Sequence, residues 1–94
     1  MQVLERSIEK AVVAYAKKLR ILTYKMNGRW QASWPDRLFL APKGRVLFME
    51  LKRPGQKPTP LQVHCHEQLR AQGFQVLVVD DAGRGKAALE ALVT

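Results

Sequence analysis

Two short, wholly apolar segments with a helix-forming segment between them limit the folds open to this chain. Residues 46–49 and 76–79 contain only Val, Leu, Phe and Met, and apolar runs of this length predict strands. The strand with residues 46–49 is predicted to be central and covered on both faces. Between the two runs, Thr59-Pro60-Leu61-Gln62 predicts a helix start with Thr59 as N-cap, Pro60 at the first helical position and Gln62 completing a capping box. This order predicts a crossover that joins two parallel strands.

The other elements are predicted from periodicity and turn residues. Apolar side chains three and four apart predict an amphipathic first helix, with its core stripe at Leu4, Ile8, Ala11, Val12, Tyr15 and Leu19. The predicted elements are a helix at 3–20, strands at 21–26, 37–40 and 45–51, a helix at 59–72 ending before Gly73, a strand at 75–79 and a short helix at 86–93. The order helix, three strands, helix, strand, helix predicts an α/β fold with a central mixed sheet flanked by helices.

The length of 94 residues predicts one domain, residues 1–94. A single cysteine, Cys65, cannot form an internal disulfide, so nothing requires an oxidising compartment. No apolar run approaches the roughly 18 residues of a membrane span, and Glu5 places an acid where a signal peptide carries base. We therefore expect a cytoplasmic protein without a membrane partner.

The charge of the chain is unevenly distributed. Sixteen Lys and Arg against eight Asp and Glu give a net charge of +8. Residues 17–57 contain eleven basic residues and two acidic residues, which is +9, so the remainder sums to −1. Such a basic stretch predicts binding to the phosphates of a nucleic acid. The two acids, Asp36 and Glu50, would repel phosphates unless a cation lies between them.

The spacing of these acids indicates a metal site. Glu50 and Lys52 are two apart on a predicted strand, so their side chains leave the same face, and Asp36 begins the neighbouring strand. Two converging carboxylates are ligands for Mg²⁺ or Mn²⁺, with the backbone carbonyl of Leu51 as a third oxygen. A bound ion would activate water and polarise a phosphodiester, while Lys52 would stabilise charge on the phosphate or orient the nucleophile. The predicted reaction is phosphodiester hydrolysis.

The same residues resemble a known nuclease signature. Pro35-Asp36, thirteen intervening residues and Glu50-Leu51-Lys52 resemble the PD-(D/E)xK motif of restriction endonucleases and archaeal Holliday-junction resolvases. The chain is most similar to the VRR-NUC branch of that superfamily in its small stand-alone form, often encoded by phages. The segments that carry this similarity are Trp34-Pro35-Asp36-Arg37-Leu38, Glu50-Leu51-Lys52-Arg53-Pro54-Gly55, Pro60-Leu61-Gln62 and Gly73-Phe74-Gln75-Val76.

The resemblance implies a restriction-endonuclease-like core and a metal-dependent, structure-selective DNA endonuclease that cuts branched or duplex DNA, with a four-way junction as the favoured substrate. The small size suggests a homodimer, whose two sites would suit a symmetric junction. In the family a helix-borne glutamate near the amino terminus completes the site. Glu5 fits the pattern Glu-x-x-Ile and is our first choice, and Glu9 is the alternative. The predicted catalytic residues are thus Glu5, Asp36, Glu50, Lys52 and Gln62, although the capping box alone would explain Gln62.

Two other functions are compatible with the sequence: a non-catalytic basic module that binds nucleic acid, and a small protein-interaction domain. His64-Cys65-His66 does not predict a zinc site, because side chains two apart on a helix point about 200° from each other. Trp30 and Trp34 flank the predicted site and would either stack on bases or pack in the core or a dimer interface.

Overall fold

The structure, a computed structural model, describes residues 3–28 and 32–94. Its elements are α1 (Glu5–Lys18), β1 (Leu22–Lys25), β2 (Arg37–Ala41), β3 (Arg45–Leu51), α2 (Pro60–Ala71), β4 (Gln75–Val79) and α3 (Ala82–Val93). A short 3₁₀ turn at Pro42–Gly44 joins β2 to β3. The order of elements is the predicted one, and the bounds of β3 and β4 match the prediction. Trp30 lies outside the described residues.

The described strands form one mixed sheet in the order β1-β2-β3-β4. β1 and β2 are antiparallel, as are β2 and β3, whereas β3 and β4 run parallel. β3 is therefore interior, and its last five residues are buried, as its apolar composition predicts. Arg37 pairs with Met49, and this register brings the residue before Arg37 opposite Glu50.

Helix α2 begins with the predicted capping box. The backbone N–H of Gln62 donates to Thr59 Oγ1 at 3.2 Å, and the backbone N–H of Thr59 donates to Gln62 Oε1 at 2.9 Å. These bonds satisfy donors that a helix start otherwise leaves unpaired. They also fix the side chain of Gln62 at the end of the helix that lies near β3.

Helix α3 begins four residues earlier than predicted, at Ala82 instead of Lys86. Residues 82–85 are helical because Asp81 is an N-cap whose Oδ1 accepts from the backbone N–H of Gly83 at 2.8 Å. Gly85 is required by packing: a Cβ there would lie 2.6 Å from Cγ2 of Val12. The glycine therefore lets α3 approach α1 closely.

The core lies between the sheet and the pair α1 and α3. Its buried residues are Ile8, Val12, Ala16, Ile21, Phe39, Leu47, Met49, Leu51, Val79, Leu89 and Leu92. The predicted stripe of α1 is wrong at Leu4, which precedes the helix and is 39% exposed, and Ala16 is buried instead. Among the helices in the described part of the chain, none has the length and apolar character needed to cross a membrane.

Candidate active site

The candidate site lies where β3 ends. Glu50 is 1% exposed, and Asp36 and Lys52 are each 7% exposed. Lys52 Nζ lies 3.8 Å from Glu50 Oε2 because side chains two apart on a strand leave the same face. The structure thus brings three charged groups together in a place largely closed to water.

Asp36 is fixed beside β3 by hydrogen bonds to both of its carboxylate oxygens. Oδ2 accepts from the backbone N–H of Leu51 at 2.7 Å, and Oδ1 accepts from Nδ2 of Asn27. The backbone carbonyl of Asp36 accepts from the N–H of Met26 at 2.8 Å. Asn27 is a site residue that the sequence analysis missed, because Asn27-Gly28 has the composition of an ordinary loop start.

Gln62 connects the site to the start of α2. Its Oε1 accepts from Lys52 Nζ at 2.9 Å while also accepting from the backbone N–H of Thr59. Its Nε2 donates to Glu50 Oε2 at 3.5 Å. One side-chain amide therefore caps the helix and contacts two charged site residues.

His66 lies one turn after Gln62 on the same face of α2. Its Nε2 is 3.4 Å from Glu50 Oε1, and the residue is 1% exposed. Burial, followed by the charges of Arg70 and Lys52, lowers the pKa of its imidazole. His66 is not among the residues predicted from the sequence, where it is weighed only as a zinc ligand together with His64, which is exposed in the structure. The four-residue spacing from Gln62 was the signal that places it on the site face.

The electrostatics of the site are dominated by its two carboxyl groups. Burial and the neighbouring Asp36 raise the pKa of Glu50 to about 8, and Lys52 opposes this rise. A buried carboxyl loses hydration when it ionises, and a second carboxylate nearby adds repulsion. A further positive charge at this position would favour the ionised form of Glu50.

The two glutamates that compete to complete the site have different surroundings. Burial, followed by the charge of Asp36, raises the pKa of Glu5, and Lys52 and Arg53 lower it. Asp36 and Lys52 are therefore electrostatic neighbours of Glu5. Glu9 instead forms an ion pair, with its Oε2 2.7 Å from Arg37 Nε. These surroundings favour Glu5 over Glu9 as the candidate.

The aromatic residue beside the site packs within the protein. Trp34 is half-buried and lies edge-to-face on Phe48, with ring centroids 6.0 Å apart. Phe48 in turn packs edge-to-face against Phe74 at 5.6 Å. Of the two interpretations of Trp34, packing is the one these contacts support.

Comparison with known proteins gives the family. No family model matches the chain. The chain is 43% identical over 76 residues to a protein of Acyrthosiphon pisum secondary endosymbiont phage 1 named "Putative nuclease p44", and the match covers 81% of this chain and 82% of that protein. A solved structure of a VRR_NUC domain is similar with a TM-score of 0.81 at 29% identity, over 92% of this chain and 94% of that one. The chain belongs to the VRR-NUC family of nucleases.

The VRR-NUC assignment confirms the predicted family and the α/β, restriction-endonuclease-like fold class. The individual catalytic roles and the metal stay predictions. Within residues 3–28 and 32–94, no three His, Cys, Asp or Glu side chains form a metal-binding group. In this VRR-NUC chain the candidate side-chain ligands are therefore a pair, Asp36 and Glu50.

Proposed function

We propose that this nuclease is a Mg²⁺- or Mn²⁺-dependent, structure-selective DNA endonuclease, similar in action to Holliday-junction resolvases and active as a homodimer. The observation that supports the proposal is the burial of Asp36, Glu50 and Lys52 together at the end of β3. A buried pair of carboxylates next to a lysine provides the charges that phosphodiester hydrolysis requires.

The donor set fits a hard divalent cation. Mg²⁺ commonly binds proteins through one or two carboxylates and takes its other ligands from water and substrate phosphates. Asp36 and Glu50 would supply the carboxylates. The N–H and C=O of a strand residue point to the same side, so the carbonyl of Leu51 leaves β3 toward Asp36, as its N–H does. The raised pKa of Glu50 is a second sign of fit, because a cation would offset the repulsion between the two carboxyl groups.

When bound, the ion would polarise the phosphodiester and activate water. Lys52 would stabilise the negative charge that develops on the phosphate oxygens, and Gln62 would orient Lys52 through the 2.9 Å bond to Nζ. We assign His66 a positioning role: in the tautomer with its proton on Nε2, the ring would donate to Oε1 of ionised Glu50 and fix the orientation of that carboxylate. Glu5 would complete the site from the first turn of α1.

A homodimer is supported by size and by exposed apolar surface. Leu22 is 58% exposed and Tyr24 is 52% exposed, and both lie on the same face of edge strand β1. A second protomer would remove such surface from water. Two sites related by a two-fold axis would suit the symmetry of a four-way junction.

The test is cleavage of labelled duplex, flap and four-way-junction DNA in the presence of Mg²⁺ or Mn²⁺. We expect the junction to be cut, and Glu50→Ala to lower the rate by about a hundredfold or more because one of the two carboxylates that would hold the metal ion is removed. Glu67→Ala is the matched control, since Glu67 is an exposed glutamate on α2.

Light scattering of the same preparation should give the mass of a dimer at micromolar concentration. Activity by a species that is only monomeric would contradict the homodimer. Failure to cut any of the DNAs, or full activity of Glu50→Ala, would contradict the endonuclease. Metal-independent binding that Asp36→Ala leaves intact, without cleavage, would favour a non-catalytic binding module.

A further inference from the structure

A basic groove lies along α1 beside the candidate active site. Its volume is about 450 Å³, and α1 and the adjoining ends of β1 and β2 form its walls. Its charged lining residues are Arg6, Glu9, Lys10, Lys17, Lys25 and Arg37. Five of these are cationic and one is anionic, so the groove has a strong positive charge.

The cations of the groove form two connected rows. On α1, Arg6, Lys10 and Lys17 point within about 40° of one another at 3.6 residues per turn. On the sheet, Lys25 pairs with Arg37 across β1 and β2. The α1 row extends about 16 Å at 1.5 Å per residue. The groove is thus an elongated positive channel.

Most of this charge is not neutralised within the described part of the protein. Glu9 is paired with Arg37 through a 2.7 Å contact. Among the described residues, Arg6, Lys10, Lys17 and Lys25 form no ion pair within 4.0 Å. Like charges four apart on a helix repel one another. A polyanion in the groove would remove that repulsion.

One end of the groove adjoins the active site. Arg37 follows Asp36 in the chain, but its side chain leaves the opposite face of the strand and contacts Glu9 on α1. Glu5 connects the two regions, because its charged neighbours include Asp36 and Lys52 of the site and Glu9 of the groove. A DNA strand with its scissile phosphate at Asp36 and Glu50 would therefore reach the groove by passing Glu5 at the end of the sheet. Each strand of a duplex has one charge per 3.4 Å along the axis, so about 16 Å corresponds to about five base pairs.

We propose that the α1 groove binds the sugar-phosphate backbone of the DNA arm next to the cleaved bond, over about five base pairs. The inference rests on the proposed function, because it places the arm relative to that site. It assigns substrate affinity to α1 residues Arg6 and Lys10, which lie outside the basic stretch at 17–57.

The test compares two adjacent lysines at the end of α1. Lys17 lines the groove, whereas exposed Lys18 points about 100° away and does not line it. Both lie in the last turn, so Lys17→Gln and Lys18→Gln make the same change near the helix end. Binding to a labelled four-way junction is measured by fluorescence anisotropy in EDTA, without cleavage, at several salt concentrations.

Each phosphate that the protein no longer neutralises should decrease the magnitude of the slope of log K against log salt concentration by about 0.9. We expect this change for Lys17→Gln and about twice this change for the double variant Lys10→Gln with Lys17→Gln. Lys18→Gln should retain the slope of the unmodified protein. Equal slopes for Lys17→Gln and Lys18→Gln would overturn the inference, as would absence of junction binding by the unmodified protein.

Ethylation interference on the same junction tests the predicted length. Ethylation of any of about five consecutive phosphates on one side of the branch should weaken binding by the unmodified protein. Ethylation of the same phosphates should not weaken binding by the double variant. Scattered interference that the double variant leaves unchanged would overturn the inference. Because these assays need no cleavage, a failure of the groove is distinguished from a failure of the endonuclease.

Discussion

Asp36 and Arg37 are neighbours in the chain but belong to two different regions. Asp36 is 7% exposed and lies in the candidate active site, where both carboxylate oxygens accept hydrogen bonds. Arg37 contacts Glu9 on α1 and lines the open groove. The active site contains few charges, each with specific partners, whereas the groove contains several exposed charges of one sign. We infer that catalysis depends on the positions of individual atoms in the candidate active site. The affinity for DNA depends instead on the total charge of the groove.

This difference predicts different responses to the removal of one charge. An exposed charge contributes about 0–1 kcal/mol to stability, because water solvates it in the folded and unfolded states. A buried charge without sufficient partners changes stability by several times that amount. Substitutions in the active site should therefore change folding as well as activity, whereas substitutions in the groove should change DNA affinity alone.

The largest effect on folding should come from Glu50. Its pKa is about 8 in the folded protein, against 4.5 as the ordinary value. Because the pKa of Glu50 is raised in the folded protein, its contribution to the free energy of unfolding is complete below pH 4.5 and is lost as the pH rises through 8. His66 opposes this below its ordinary pKa of 6.5, since its own pKa is lowered. Above pH 6.5, loss of the Glu50 proton should dominate.

We therefore expect the metal-free protein to lose up to about 2 kcal/mol of unfolding free energy between about pH 6.5 and pH 8. Glu50→Gln should remove this loss, while Glu67→Gln and Lys17→Gln should show the pH dependence of the unmodified protein. Urea unfolding in EDTA measures each free energy. Unmodified protein with the same stability at both pH values would show that Glu50 ionises without a cost.

The sequence predicts that Asp36, Glu50 and Lys52 lie together, but it does not predict the groove, and the reason is physical. Asp36, Glu50 and Lys52 occupy positions whose relation depends on strand alternation and on the pairing of two neighbouring strands. Both follow from local pattern. The groove instead combines a helix stripe with two strand ends, and their relation depends on how α1 packs on the sheet. A count of charges along the chain therefore omitted Arg6 and Lys10 from the basic face.

The same distinction explains the smaller errors. The predicted start of α3 was four residues late because two glycines predict a loop when considered alone, although Gly85 is required where α3 contacts Val12. His66 was missed because its role depends on the orientation of α2 over Glu50. In each case a local signal was present in the sequence, namely Asp81 as an N-cap and the four-residue spacing of His66 from Gln62. The contacts that give these residues their importance, with Val12 and with Glu50, join positions far apart in the chain.

The next prediction compares the two sides of α2. His66→Phe keeps a buried ring but removes the donor to Glu50, so we expect metal affinity to decrease about tenfold. His66→Gln retains a donor and should restore part of that affinity. His64→Phe changes an exposed histidine two residues earlier and should have no effect. The measurement is the Mn²⁺ concentration that gives half-maximal cleavage.

A merely structural role for His66 would give a different pattern. In that case His66→Phe would lower the unfolding free energy and leave the Mn²⁺ requirement unchanged. His66→Gln, which places a polar amide in a buried position, would then be worse than His66→Phe. Either result would remove His66 from the active site and leave Asp36, Glu50 and Lys52 as its buried charged groups.

The smallest expected changes are those of Thr59→Ala and Gln62→Ala, and their comparison distinguishes helix capping from support of the candidate active site. Thr59→Ala removes the side-chain acceptor of the capping box and should cost about 1 kcal/mol in urea unfolding, with kcat unchanged. Gln62→Ala should have a similar cost but also lower kcat, because it removes the acceptor that holds Lys52 Nζ at 2.9 Å. An equal decrease of kcat in both variants would mean that α2 supports the site only by being folded. A decrease of kcat confined to Gln62→Ala would mean that the amide of Gln62 orients Lys52 directly. Lys52 would then depend on one specific partner, whereas the cations of the groove are interchangeable.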